Sequence, residues 1–148
     1  MVVYEYTFKR HRVAESPATI RTPTDTVPVF HAMFDGRETE ALAVLCLDAK
    51  NHVIGTEVVY TGNVSVSLVR VGECFRSAVR LNAASIIVGH NHPSGDPTPS
   101  PDDLHLTAEV IAAGKILDIE VLDHLVLGED HSFVSLRDRG ITFSRSIR

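Results

Sequence analysis

The stretch Ser85-Ile86-Ile87-Val88-Gly89-His90-Asn91-His92-Pro93-Ser94-Gly95-Asp96-Pro97-Thr98-Pro99-Ser100-Pro101-Asp102-Asp103 decides how this chain folds. Its first five residues are short, apolar and β-branched, which fits a central strand. His90 to Ser100 is loop by composition, stiffened by Pro93, Pro97 and Pro99. Ser100-Pro101-Asp102-Asp103 then reads as a helix start, with serine at the N-cap, proline at the first helical position and an acid at the third. A strand, a stiff loop and a helix in that order belong to an α/β architecture.

Downstream, Leu106, Val110, Ala113 and Leu117 lie on one helical face, so a helix is expected over residues 101–117. Residues 120–127 form a further strand, and Gly128-Glu129-Asp130 turns the chain into a short strand near residues 132–135. Upstream, Val71, Phe75, Ala78, Val79 and Asn82 follow helical spacing. Leu42 to Leu47 is a continuous apolar run, hence a buried strand, and Lys50-Asn51 turns it into a hairpin with Val53 to Tyr60. Residues 64–69 alternate briefly. Residues 1–8 alternate enough for an N-terminal strand, and residues 14–28, with Pro17, Pro23 and Pro28, form a connecting arm. Thr24 or Asp25 caps a short helix over residues 26–34 that ends near Asp35-Gly36. The expected class is therefore α/β (α+β), a single mixed central β-sheet flanked by helices. Its organisation is a strand and arm with a short helix over residues 1–35, one main domain over 36–140, and a basic tail over 141–148.

Composition agrees with one globular domain. The chain has 148 residues, 44% of them hydrophobic and 22% charged, which excludes disorder and coiled coil. No apolar run approaches the roughly 18 residues of a membrane helix, and Met1 to Arg12 is too polar for a secretory signal. Cys46 and Cys74 sit in apolar runs without metal-type spacing, as core residues of a reduced, cytoplasmic protein would. The net charge of −5 is uneven. Lys9, Arg10 and Arg12 at one end and Arg137, Arg139, Arg145 and Arg148 at the other leave the body strongly acidic. An acidic body argues against a broad nucleic-acid face, and the basic ends read as solvated tails.

The chemistry is concentrated where four of the seven prolines and two of the eight histidines fall together, between His90 and Pro101. His90 and His92 follow a central strand, and ligands bind at the carboxyl ends of strands in open α/β sheets. Residues two apart in extended backbone point to one side, so both imidazoles can face one point. Asp103 follows after ten residues, and a stiffened loop can return its carboxylate there. Two imidazoles and one carboxylate leave one position open on a tetrahedral Zn²⁺, the layout of a catalytic site. The residues themselves leave alternatives open. Asp103 is equally a helix-capping acid, the histidines are equally surface residues, and Ser100 is equally an N-cap. His124 is either a satisfied core histidine or a support for a ligand.

His90-x-His92, ten residues and Asp103 resemble the JAMM motif of the MPN (JAB) metalloprotease superfamily. The longer text HNHPSGDPTPSPDD over residues 90–103, with Ala83 to Gly89 and Leu122-Asp123-His124, resembles its RadC-like branch. The similarity runs from about Glu40 to Gly140. It implies an MPN/JAB-like (cytidine-deaminase-like) architecture, with His90, His92 and Asp103 as ligands of one Zn²⁺. It further implies that Glu40, directly before the first buried strand, is the general base, with Glu38 and Glu57 as rivals. Ser100 matches the serine that steadies the oxyanion. Longer members carry an N-terminal helix-hairpin-helix region that is not seen here, so a stand-alone catalytic domain over residues 36–140 is expected.

The implied activity is a zinc-dependent peptidase or isopeptidase acting on a peptide or protein, including isopeptide-linked ones. An alternative is a DNA-repair or DNA-transaction factor, either nuclease or binding module, since the branch is named for DNA repair. HNH nucleases, however, place their three named residues far apart in the chain, whereas His90-Asn91-His92 is contiguous. A catalytically silent scaffold is a third reading, opposed by the complete ligand set. Zinc deaminases are excluded by the missing H-x-E and P-C-x-x-C signatures. Exposed strand edges leave room for a homodimer, and nothing indicates a membrane partner.

Overall fold

The apolar run of residues 41–47 is buried along its whole length because it lies inside a sheet covered on both faces. The computed structural model describes residues 1–9, 11, 19–64 and 68–143. After a 3₁₀ turn over Pro23–Thr26, its elements are α1 (Val27–Phe34), β1 (Ala41–Leu47), β2 (Val53–Thr61), α2 (Val71–Leu81), β3 (Ser85–Asn91), α3 (Pro101–Leu117), β4 (Glu120–Leu127) and β5 (Phe133–Ser135). The described strands form one mixed sheet in the order β2-β1-β3-β4-β5. Only β3 and β4 pair in parallel, and α3 is the crossover between them. The expected α/β class with a mixed central sheet is what the chain adopts. No helix among the described residues is long and apolar enough to cross a membrane.

Side-chain alternation divides the core. Leu42, Val44 and Cys46 pack with Phe75 of α2 and with Leu106 and Val110 of α3. Ala41, Ala43, Leu45 and Leu47 pack on the opposite face with Val27, Phe30 and Phe34 of α1. A strand covered on both sides needs apolar residues at every position, which is why β1 reads as an unbroken run. Each fully buried Leu or Ile contributes about 1.5–3 kcal/mol.

In β3 the same alternation puts Ile86 and Val88 on the α2/α3 face and Ile87 on the α1 face, so His90 continues the α3 side. β4 contains a bulge. Ile86 pairs with Val121 but Ile87 pairs with Asp123, so Leu122 is an extra residue and its side chain joins the α1 face. The insertion reverses the alternation. His124, opposite Val88, therefore faces α3 rather than α1.

Several expectations are corrected. Residues 1–9 carry no strand and are exposed. Their alternation finds no adjacent strand among the described residues, and Phe8 lies instead against the Arg80 guanidinium. β3 extends through Asn91, because His90 and Asn91 still pair with β1 or β4, so the loop begins at His92. Thr22 is the N-cap of the 3₁₀ turn, and the Asp25 carboxylate accepts from Thr22 N there at 2.8 Å. α1 itself follows Thr26 with no side-chain cap bond, so neither Thr24 nor Asp25 caps it. On α2 the buried face is Cys74, Phe75 and Ala78, and Val79 is exposed. On α3 the buried stripe is Asp103, Leu106, Thr107, Val110 and Gly114, and Leu117 is exposed. Gly114 replaces Leu117 there because a Cβ at that position would sit 2.6 Å from Ile119 O. The alternation at residues 65–67, part of the arm over residues 14–18, and Arg145 and Arg148 of the basic tail lie outside the described residues.

Candidate metal centre

Three elements deliver the site. β3 presents His90, fully buried, and His92 follows on the same side one residue past the strand. The first turn of α3 presents Asp103, 2% exposed. The two Nε2 atoms lie 2.9 Å apart. Asp103 Oδ1 is 3.1 Å from His90 Nε2, and Oδ2 is 3.3 Å from His92 Nε2. Among the described residues this is the one His/Cys/Asp/Glu cluster whose ligand atoms all converge, within 4.8 Å of one another. Four-coordinate bonds of about 2.0–2.1 Å set ligand atoms roughly 3.3 Å apart on a tetrahedron. Two imidazole nitrogens and a carboxylate oxygen at these separations fit a divalent metal.

The loop and helix cap hold the acid in place. Ser100 N donates to Asp103 Oδ2 at 2.7 Å, and Asp103 N donates to Ser100 Oγ at 3.1 Å. This is a reciprocal capping box, so Asp103 caps the helix and faces the imidazoles at once. Burial opposes ionisation of Asp103, but hydrogen bonds to His90 and His92 outweigh it and hold the carboxyl well below its usual range. The Asp103 carboxylate raises the basicity of His92, against partial burial. His92 Nδ1 lies 2.9 Å from Asp96 O, so the loop backbone orients that ring.

His124 is buried on the same face. Its Nε2 is 2.7 Å from His90 Nδ1, and its Nδ1 is 2.6 Å from Thr107 Oγ1. Burial drives its basicity well below the ordinary value. Thr107 of α3 had no signal in the sequence beyond a polar residue one turn after Asp103.

Glu40 and Ser100 line one cleft with His92 and Asp103, of about 340 Å³. Glu40 Oε2 accepts from Val64 N at 2.7 Å. The backbone on both sides of Glu40 is clamped by Asn91, whose Oδ1 accepts from Ala41 N at 2.7 Å and whose Nδ2 donates to Thr39 O at 3.2 Å. Asn91 is a further residue that the histidine pattern hid, because its side chain points away from the imidazoles. Glu57 is elsewhere, bonded to Arg76 and Ser77 of α2, and Glu38 is exposed and does not line the cleft. Cys46 and Cys74 are buried and unpaired. Burial pushes both thiols up to about 12, which leaves them inert core residues.

A family model described as a RadC-like JAB domain matches residues 20–141. A UPF0758 protein of Roseiflexus castenholzii is 52% identical over 124 residues, 84% of this chain and 53% of the relative. UPF0758 proteins of Chloroflexus aggregans and Clostridium perfringens are 47% and 42% identical, over 84% and 90% of this chain and 54% and 59% of theirs. The chain thus spans little more than half the length of these relatives. With this match over most of its length, the chain belongs to the RadC-like JAB domain family.

Proposed function

We propose that this chain is a zinc-dependent hydrolase of amide bonds, a metallopeptidase or isopeptidase acting on a peptide or protein. The observation that supports it is the convergence of His90 Nε2, His92 Nε2 and the Asp103 carboxylate beside a cleft lined by Glu40. A Zn²⁺ ion held by these three side chains would supply Lewis acidity, polarising a scissile carbonyl and lowering the pKa of water towards about 7. Glu40 takes the proton of the attacking water and hands it to the leaving amine, as a general base and then a general acid. Its bond from Val64 N occupies one carboxylate oxygen and leaves the other for that work. Ser100 Oγ accepts from Asp103 N, so its own O–H remains available to a developing oxyanion.

The test combines metal content and turnover. Purified chain carries about one zinc, His92→Ala loses it, and Glu40→Gln retains it while amide hydrolysis falls by about 10²–10⁴-fold. Stoichiometric zinc in His92→Ala would refute the ligand set. Unchanged turnover in Glu40→Gln would move the base to another residue. Cleavage of DNA that depends on His92 and Glu40, without cleavage of peptides, would replace the peptidase by a nuclease.

A further inference from the structure

The proton positions in the buried chain behind His90 can be worked out from its acceptors. Thr107 Oγ1 is 2.6 Å from Asp103 O and 2.6 Å from His124 Nδ1. A carbonyl oxygen only accepts, so the single hydroxyl hydrogen of Thr107 is committed to Asp103 O. Thr107 Oγ1 must then accept from His124 Nδ1–H. A neutral imidazole carries one N–H, which leaves His124 Nε2 with a bare lone pair. That lone pair, 2.7 Å away, accepts from His90 Nδ1–H. In the neutral form of His90, the form that ligates a metal, Nε2 is then left bare, and it is the atom that faces His92 and Asp103.

We propose that Thr107 and His124 are positioning residues that fix the tautomer of His90 and tie it to the backbone of Asp103, so that a single hydrogen-bonded relay links one metal-facing ring to the helical turn that carries a second metal-facing side chain. The inference rests on the metal reading above. Two independent features support it. The relay begins and ends on residues of the same cluster, Asp103 O and His90 Nδ1. It also depends on the bulge at Leu122, because without that extra residue His124 would face α1, away from His90. An apolar residue at position 124 would satisfy the packing of β4 equally well but would give His90 Nδ1–H no acceptor. Partners of this kind orient an imidazole and raise its strength as a ligand.

The experiment measures zinc affinity by chelator competition, with the ¹⁵N shifts of the histidine rings as a second readout and thermal unfolding as a check on folding. Thr107→Val keeps the shape but removes the hydroxyl, and is expected to weaken zinc binding about 10- to 100-fold. Thr107→Ser restores it. His124→Leu weakens binding at least as much as Thr107→Val. In the unmodified chain without zinc, His124 should be protonated at Nδ1 and bare at Nε2; in Thr107→Val that preference is lost. Unchanged zinc affinity in folded Thr107→Val and His124→Leu, or a His124 ring protonated at Nε2 in the unmodified chain, would overturn the relay while leaving the metal site standing. An unmodified chain that binds no zinc would overturn the metal reading and the relay's role together.

Discussion

Ser100 N donates to Asp103 Oδ2 at 2.7 Å, the same oxygen that lies 3.3 Å from His92 Nε2. One carboxylate therefore closes the N-terminus of α3 and completes the imidazole cluster. The two duties separate by substitution. Asp103→Asn keeps an oxygen for Ser100 N but loses the charge, so zinc is lost while the metal-free melting temperature changes little. Asp103→Ala loses both and destabilises the metal-free chain by about 1 kcal/mol, as removal of a cap does. Metal analysis and thermal unfolding of the two variants check this. Equal destabilisation by both would show that charge, not the cap bond, holds the helix start.

Glu57→Gln separates the roles of Glu57, in β2, and Glu40, just before β1. Glu57 faces Arg76 and Ser77 on α2, with the Arg76 side chain 46% exposed. A half-exposed ion pair contributes about 0–1 kcal/mol, so stability falls by no more than that and amide hydrolysis is unchanged. Loss of turnover in Glu57→Gln with metal retained would transfer the base from Glu40.

Most of the frame was legible because β1 and β3 are short apolar runs bounded by turn residues, and α3 opens on a capping box that names its own first residue. The His90, His92 and Asp103 cluster was legible because alternation at His90 and His92 is local. What escaped depends on pairing across the sheet. The bulge at Leu122 that turns His124 towards α3 is a property of the β3–β4 register, and no pattern within β4 marks it. The N-terminal alternation misled for a related reason: a strand exists only where a partner offers its N–H and C=O groups, and residues 1–9 pair with no strand among the described residues. Gly114 was passed over on α3 because close approach to Ile119 O is a tertiary fact.

Gly128 sets the position of the loop that carries Asp96. Glu129 N donates to Gly95 O at 3.0 Å, and a Cβ on Gly128 would fall inside the van der Waals envelope of that same carbonyl oxygen. The obstacle is backbone, so Gly128→Ala forces the loop away, at a cost of about 1–3 kcal/mol. Because Asp96 O orients the His92 ring, zinc affinity falls together with the melting temperature. A stability loss with unchanged affinity would show that the loop relaxes without moving Asp96.

Acid sensitivity has a source outside the metal cluster. Burial lowers the basicity of His31, and the neighbouring His131 ring adds to this. Asp35, Arg37, Glu129 and Asp130 line the same cleft. A histidine whose folded pKa is depressed contributes stability that is complete above the unfolded value of about 6.5 and is lost as pH falls through it. The melting temperature should therefore drop between pH 7.5 and pH 5.5, and drop less in His31→Phe. Equal slopes for the two chains would show that His31 protonates alike in the folded and unfolded states.

Asn91 offers a way to disturb Glu40, the proposed base, without disturbing the proposed metal ligands. Its side chain points away from the imidazoles and holds Ala41 N and Thr39 O, the backbone groups on either side of Glu40. In Asn91→Ala both bonds are lost. At about 0.5–1.5 kcal/mol each, the chain loses on the order of 1–3 kcal/mol but stays folded. His90 and His92 keep their own supports, His124 and Asp96 O, so zinc content is unchanged. The Glu40 carboxylate loses its fixed approach to the cleft, so kcat falls while KM stays nearly constant, the signature of an interaction made in the transition state. Asn91→Asp retains an acceptor for Ala41 N but has no donor for Thr39 O, and it should fall between the two. A kcat that does not move in Asn91→Ala would show that Glu40 is held by Val64 N and Gly62 N alone, and that the asparagine between the two histidines serves only to end the strand.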